Sequence, residues 1–185
     1  GPYFGLPNVD PWDEARDARL YAGPWPVVAH PPCARWGRMA GGAFGKPAAG
    51  AIGADGGCFA EALNAVRTYG GVLEHPAGSH AWAAFSLPIP SRGTWTCGLF
   101  GGATIEVEQG HYGHRTRKAT WLYAVGCAAL PTLPADESAP EGFVKCARKG
   151  ETFTRLSKRQ RAETPVQFRD LLIAMAESAN LVAAT

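Results

Sequence analysis

A strand–helix–strand unit over residues 27–74 most constrains the fold. Val27-Val28-Ala29 is a short β-branched run that climbs into "HPPC". Phe59, Ala62, Leu63 and Val66 then recur at helical spacing, and Gly70-Gly71 punctuates the end of that helix. Val72-Leu73 follows as a second apolar strand, ending on Glu74. Short apolar strands linked through a helix belong to an α/β sheet that is parallel at least in part. Asp55 stands where it can cap the helix. Residues 37–57, "GRMAGGAFGKPAAGAIGADGG", form a Gly/Ala loop of a length that compact domains reserve for function or motion.

The remaining pattern fills out that sheet. "TWTCGLF" and "ATIEVEQG" read as a β pair, because Ile105 and Val107 alternate with Glu106 and Glu108. "KATWLYAVG" is a further strand. Residues 3–26 are an irregular Pro/Gly/Trp-rich lead-in with a helical turn near Trp12–Tyr21, and residues 86–93 are a Pro-rich loop. Residues 128–142 read as a Pro-rich linker, and residues 143–185 as a basic segment plus a C-terminal helix. Thr164-Pro165 opens that helix, whose apolar face is Phe168, Leu171, Leu172, Met175, Ala179 and Val182. One α/β domain over 3–185 is expected. Gly1-Pro2 reads as a cleavage scar and is set aside.

Composition narrows the class. With 46% hydrophobic and 18% charged residues, the chain is globular rather than disordered. No apolar run approaches a membrane span, and no charged-then-apolar leader is present. Cys33, Cys58, Cys97, Cys127 and Cys146 are odd in number and unpatterned, which fits reduced thiols in a cytoplasm. The net charge of +2 is uneven. Lys145, Arg148, Lys149, Arg155, Lys158, Arg159, Arg161 and Arg169 face only Glu151 and Glu163 over the same stretch, as suits a polyanion partner.

The chemistry-bearing residues fall in three stretches. In "VVAHPPCARWG", Pro31 and Pro32 fix the path of the backbone and so aim Cys33. His30, Arg35 and Arg38 supply positive charge that favours its thiolate, a nucleophile. In "VLEHPAGSHAW", Glu74 is costly to bury without a partner and reads as an acid of raised pKa that protonates a ring nitrogen. In "EQGHYGHRTRKATWLYAVG", His114, Arg115, Arg117 and Lys118 concentrate donors for a phosphate or a base carbonyl. His30, Pro32, Arg35, His75, Ser79 and His114 are the expected substrate contacts. Lys118, Lys158, Arg159 and Arg161 are the expected nucleic-acid contacts. His30 with Cys33, His75 with His80, and His111 with His114 are the available ligand pairs for a metal. Neither C-x-x-C nor H-E-x-x-H occurs, so no metal is expected.

"PPC", "VLEHP" and "YGHRTRKATWLYAVG", in that order over residues 24–126, resemble the catalytic half of DNA cytosine-5 methyltransferases, including small phage-encoded proteins. That family carries a Pro-Cys nucleophile after one strand, a Glu-Asn-Val carboxylate after the next, and an arginine-rich segment leading into a strand that ends in Val-Gly. The resemblance implies a compact Rossmann-like, methyltransferase-like, partly parallel sheet with flanking helices and long Gly/Pro-rich loops. It implies that Cys33 adds to C6 of cytosine or uracil, activating C5 for one-carbon transfer, with Glu74, Arg115 and Arg117 as catalytic partners. DNA or a pyrimidine nucleotide is the implied partner, in a cytoplasm that is the host's if the protein is phage-encoded. The chain departs from the family at His75, where Asn is expected, and in lacking the Gln before the arginines. No G-x-G-x-x-G follows a strand, so the motif for S-adenosylmethionine is not evident and a partner chain is a candidate source of the donor site. Two alternatives stand beside this expectation. One is a non-catalytic nucleic-acid-binding pseudo-methyltransferase acting as decoy or partner subunit. The other is a thiol- or metal-dependent hydrolase.

Overall fold

The computed structural model describes residues 1–38, 40, 50–99, 101–139, 141–143 and 154–179. Residues 39 and 41–49 of the Gly/Ala loop, Cys146, Lys145, Arg148, Lys149 and Val182 lie outside the described residues. Within them the chain forms β1 (Val27–Ala29), α1 (Cys58–Tyr69), β2 (Gly71–Pro76), α2 (His80–Ala84), β3 (Thr96–Cys97), β4 (Ala103–Glu108) and β5 (Ala119–Val125). β6 (Gly142–Phe143), β7 (Thr154–Arg155), α3 (Lys158–Ala162) and α4 (Val166–Glu177) complete the order. A 3-10 turn over Ala18–Leu20 falls within the lead-in where a helical turn is expected.

The main sheet has five strands in the order β1-β2-β5-β4-β3. Only β1 and β2 run parallel, with Val27 opposite Gly71 and Ala29 opposite Leu73. The β2–β5, β5–β4 and β4–β3 pairs are antiparallel. The fold is therefore α/β around a mixed sheet with one parallel pair, and its strand order is not that of a doubly wound Rossmann sheet. The sequence shows why. After α2, β3, β4 and β5 follow one another with no α-helix between them, only a 3-10 turn over Gln109–Tyr112, and such connections produce antiparallel neighbours.

Each face of the sheet is covered by one long helix. Leu73 and Tyr123 point toward α1 and pack with Phe59, Leu63, Val66, Trp36 and Trp82. Val72, Leu122, Ile105 and Val107 point the other way and pack with Phe168, Leu172 and Met175 of α4. Because side chains alternate along a strand, Glu74 must join the α4 face and His75 the α1 face. Asp55 does serve the start of α1: its carboxylate accepts from Gly57 N (3.0 Å) and Phe59 N (2.8 Å), and also from Trp36 Nε1 (2.7 Å). Gly70 ends α1 with φ of 77°.

Three elements depart from expectation. β2 does not stop at Glu74 but runs on through Pro76, paired with β5 along its whole length. The short helices α2 and α3 are additional; Ser157 and Gln160 form a reciprocal capping box on α3. The stretch 128–142 is packed rather than a free linker. Leu133 is buried in the α4-side core, Trp95 Nε1 donates to Pro131 O (2.9 Å), and His111 Nε2 donates to Asp136 O (2.8 Å).

Candidate functional site

The α4 face of the sheet is apolar at one end and polar at the other. Val28, Val72, Leu122 and Val107 form the apolar end. Two residues further along the same face stand His30, Glu74, Thr120 and Gln109, so period-two alternation alone gathers them at one rim. This rim is the carboxyl end of the parallel pair, where α/β sheets present their ligand-binding groups.

Hydrogen bonds tie the rim into one chain. His30 Nδ1 lies 2.9 Å from Glu74 Oε2, and His30 Nε2 lies 2.7 Å from the Tyr3 hydroxyl. On the other carboxylate oxygen, Gln109 Nε2 donates to Glu74 Oε1 (3.1 Å) and also to Thr120 Oγ1 (2.8 Å). The Thr120 hydroxyl in turn donates to Lys118 O (3.1 Å). The buried Gln109 Oε1 makes no hydrogen bond. Burial raises the Glu74 pKa. The His30 hydrogen bond, with His30, Lys118 and His75 close by, outweighs it, and the carboxyl sits below its ordinary value. Glu74 is thus an ionised acceptor, opposite to the raised-pKa acid that its sequence context implies.

Cys33 and Lys118 complete the rim. Cys33 is exposed, four residues beyond Ala29, and its carbonyl accepts from Trp36 N and Gly37 N in a tight turn. The Lys118 ammonium is half-buried, and burial lowers its pKa while the charges of Glu74 and Cys33 pull it back up. Both acidic groups therefore act on the same ammonium. Lys118 Nζ also donates to Glu163 O, just before α4 (2.9 Å).

The other expected site residues go elsewhere. Arg117 pairs with Glu137, and Arg115 Nε lies 3.7 Å from Glu141, so both exposed arginines engage the 128–142 stretch. His114 is buried, its Nδ1 facing Thr116 O (2.8 Å) and its Nε2 facing Arg161 O (3.3 Å). Arg115 and His114 line a separate cavity of about 330 Å³ against Gln160, Glu163 and Pro165. Ser79 is buried as the cap of α2, accepting from Ala81 N (3.1 Å). Pro32 is exposed beside Cys33. Arg35 lies against Gly50 of the Gly/Ala loop, and its carbonyl accepts from Gly53 N (3.0 Å).

His75 corrects the expectation most sharply. It is fully buried on the α1 face, edge-on to Phe59 (5.3 Å between ring centroids) and 6.4 Å from Trp82. Burial drives its pKa down to about 4, so the imidazole is neutral. The Pro32 carbonyl acts on the ring, but neither nitrogen completes a hydrogen bond. His75 is a core residue with its back to the rim, not a substrate contact. Lys158, Arg159 and Arg161 on α3 are exposed or partly exposed, with Arg159 3.9 Å from Glu163.

Two rim members are not among the residues the sequence singles out. Tyr3 lies 27 residues from His30 in a lead-in without periodicity. Gln109 continues the Ile105–Val107 alternation one step beyond β4, and that parity is the signal that finds it.

No family model, no curated protein and no solved structure matches the chain. Among the described residues, no group of three or more His, Cys, Asp or Glu is placed to hold a metal ion. No helix among them is long and apolar enough to cross a membrane.

Proposed function

We propose that the protein modifies C5 of a pyrimidine in DNA, with Cys33 as the nucleophile that adds to C6. What supports this is the rim itself: an exposed thiol aimed by two prolines, beside a lysine that also feels an ionised carboxylate. Addition of the Cys33 sulfur to C6 shifts the C5–C6 electron pair into the ring, and C5 becomes carbanion-like. Glu74, an acceptor, receives an N–H from the base edge, the N4 amino group of cytosine or the N3–H of uracil. Lys158, Arg159 and Arg161 contact phosphates of the polymer. Arg115 and Arg117, tied to Glu141 and Glu137, are not assigned to the base.

A binding motif for S-adenosylmethionine is not evident in these residues. Among the described residues no strand and Gly-rich turn precede β1, only the 3-10 turn over Ala18–Leu20. No step is routed through that donor, and a partner chain is proposed to bring the carbon donor.

Exchange of the C5 hydrogen tests the chemistry without any donor. In D₂O the C6 adduct takes a deuteron at C5; loss of the original proton and departure of the thiolate regenerate the base with deuterium at C5. Deoxycytidylate, deoxyuridylate and single-stranded oligonucleotides containing either base are the probes, read by loss of the H5 proton signal. Exchange well above buffer, abolished in Cys33→Ser, is the expected result. Exchange that persists in Cys33→Ser, or its absence from every probe, rejects the assignment.

A further inference from the structure

The rim contains a proton chain that the nucleophile does not use. We propose that Tyr3, His30 and Glu74 form a relay that takes a proton from the substrate at the Tyr3 oxygen. The direction of the chain follows from its acceptor end. Glu74 is ionised and can only accept, so His30 Nδ1 must carry the proton in their 2.9 Å contact. In a neutral imidazole, Nε2 is then a lone pair, and the Tyr3 hydroxyl at 2.7 Å must donate to it. The Tyr3 proton points inward, leaving its oxygen lone pairs as the free end of the chain. A substrate proton arriving at that oxygen displaces the phenolic proton onto His30 Nε2. The resulting imidazolium lies against the Glu74 carboxylate, so no net charge is created without a partner. Carboxylate, imidazole and hydroxyl stand in the order that activates hydroxyl groups elsewhere, with a phenol in the outer place.

The surroundings hold Tyr3 in this role. Burial first, then the Glu74 charge, raise the phenol pKa, so Tyr3 stays protonated at rest. Arg169 of α4 opposes that shift and Asp170 adds to it. Arg169 Nη1 also donates to Pro2 O (3.0 Å), pinning the lead-in so that the tilted Tyr3 and His30 rings pack with centroids 5.3 Å apart. Residues 2 and 3 are thus built into the rim, although the sequence alone sets Gly1-Pro2 aside. The relay rests on the proposed pyrimidine chemistry for its substrate: the proton it removes is the one on C5 after addition.

Two measurements on the full chain test it separately from that chemistry. The first is H5 exchange in Tyr3→Phe and His30→Asn, alongside alkylation of Cys33 by iodoacetamide. Each variant should slow exchange by about 10²–10⁴-fold, the usual contribution of a positioned base, while Cys33 alkylates at an unchanged rate. Exchange within twofold of the parent overturns the relay. The second is nitrogen NMR of the histidine rings. The Nδ1–H tautomer of His30, with an Nε2 shift that moves in Tyr3→Phe, is expected. The Nε2–H tautomer, or an Nε2 shift indifferent to Tyr3→Phe, overturns the relay even if no pyrimidine is processed. Absence of exchange in the parent with the expected NMR result rejects the pyrimidine substrate and retains the proton chain.

Discussion

Glu74 and His75 are adjacent residues with opposite fates, and both make the fold sensitive to acid. Glu74 titrates below its ordinary value. The stability it contributes is present above the unfolded carboxylate pKa and is lost as pH falls through the lowered folded value. His75 is held neutral, with its pKa lowered from 6.5 to about 4 by burial. Between those values the unfolded chain binds a proton that the folded chain refuses, so stability falls as pH drops from 6.5 to 4. The full effect is about 3 kcal/mol near pH 4, from 1.36 kcal/mol per pKa unit. Replacing His75 with Phe keeps an aromatic ring against Phe59 and removes the titration. Denaturant melts of His75→Phe should therefore flatten between pH 6.5 and 4. Glu74→Gln should leave that window unchanged and flatten only the more acidic limb. A parent protein equally stable at pH 6.5 and 4 would contradict the neutral buried imidazole.

At the scale of elements, the contact of β1 with β2 sets the rim. Gly71 opposes Val27 with φ of 116°, and a Cβ there would lie 2.1 Å from Val27 O. Only backbone displacement relieves that clash, so Gly71→Ala should cost about 2 kcal/mol or more. Gly101 has φ of 81° with nothing within 4 Å of its Cβ position. Gly101→Ala should therefore cost only the backbone strain, about 1 kcal/mol. Equal melts of the two variants would show that the close approach at Gly71 carries no weight. Periodicity made α1, β4, β5 and α4 legible, because each has an apolar stripe longer than one turn or two alternations. It missed α2 and α3, five residues each, which have too few positions for a period and are fixed by Ser79 and Ser157 caps. It also read 128–142 by its prolines and overlooked that Leu133 anchors that stretch in the core. Glu74 and His30 were legible as site residues, and their contact joins them. The switch of Lys118 for Arg115 and Arg117 was not, since neighbours on a loop have no face until their partners Glu137 and Glu141 are placed.

For the whole molecule, charge distribution decides how a polymer would be held. The net charge is only +2, so attraction to DNA depends on local concentration of cations rather than on the total. Lys158, Arg159 and Arg161 form such a concentration on α3, and Glu163 is the acidic group that partly offsets it. Neutralising the three to Gln should lower the slope of log affinity against log salt by about 2 to 3 for duplex DNA. An unchanged slope would move the phosphate contacts off α3. Affinity independent of salt would remove DNA from the list of partners.

The alternation on β2 has a hereditary consequence. Glu74 meets the hydrogen bonds of one face and His75 the aromatic rings of the other, within a strand paired on both edges. Loss of a single codon within β2 would turn every later side chain of the strand over. It would drive the carboxylate into the aromatic layer and the imidazole toward Lys118. Substitutions along this strand are negotiable one at a time, but a frame-preserving deletion is not. The same deletion in the Pro-rich 86–93 loop exchanges no faces. A library of single-codon deletions scored for soluble expression should therefore be emptied across 71–76 and populated across 86–93.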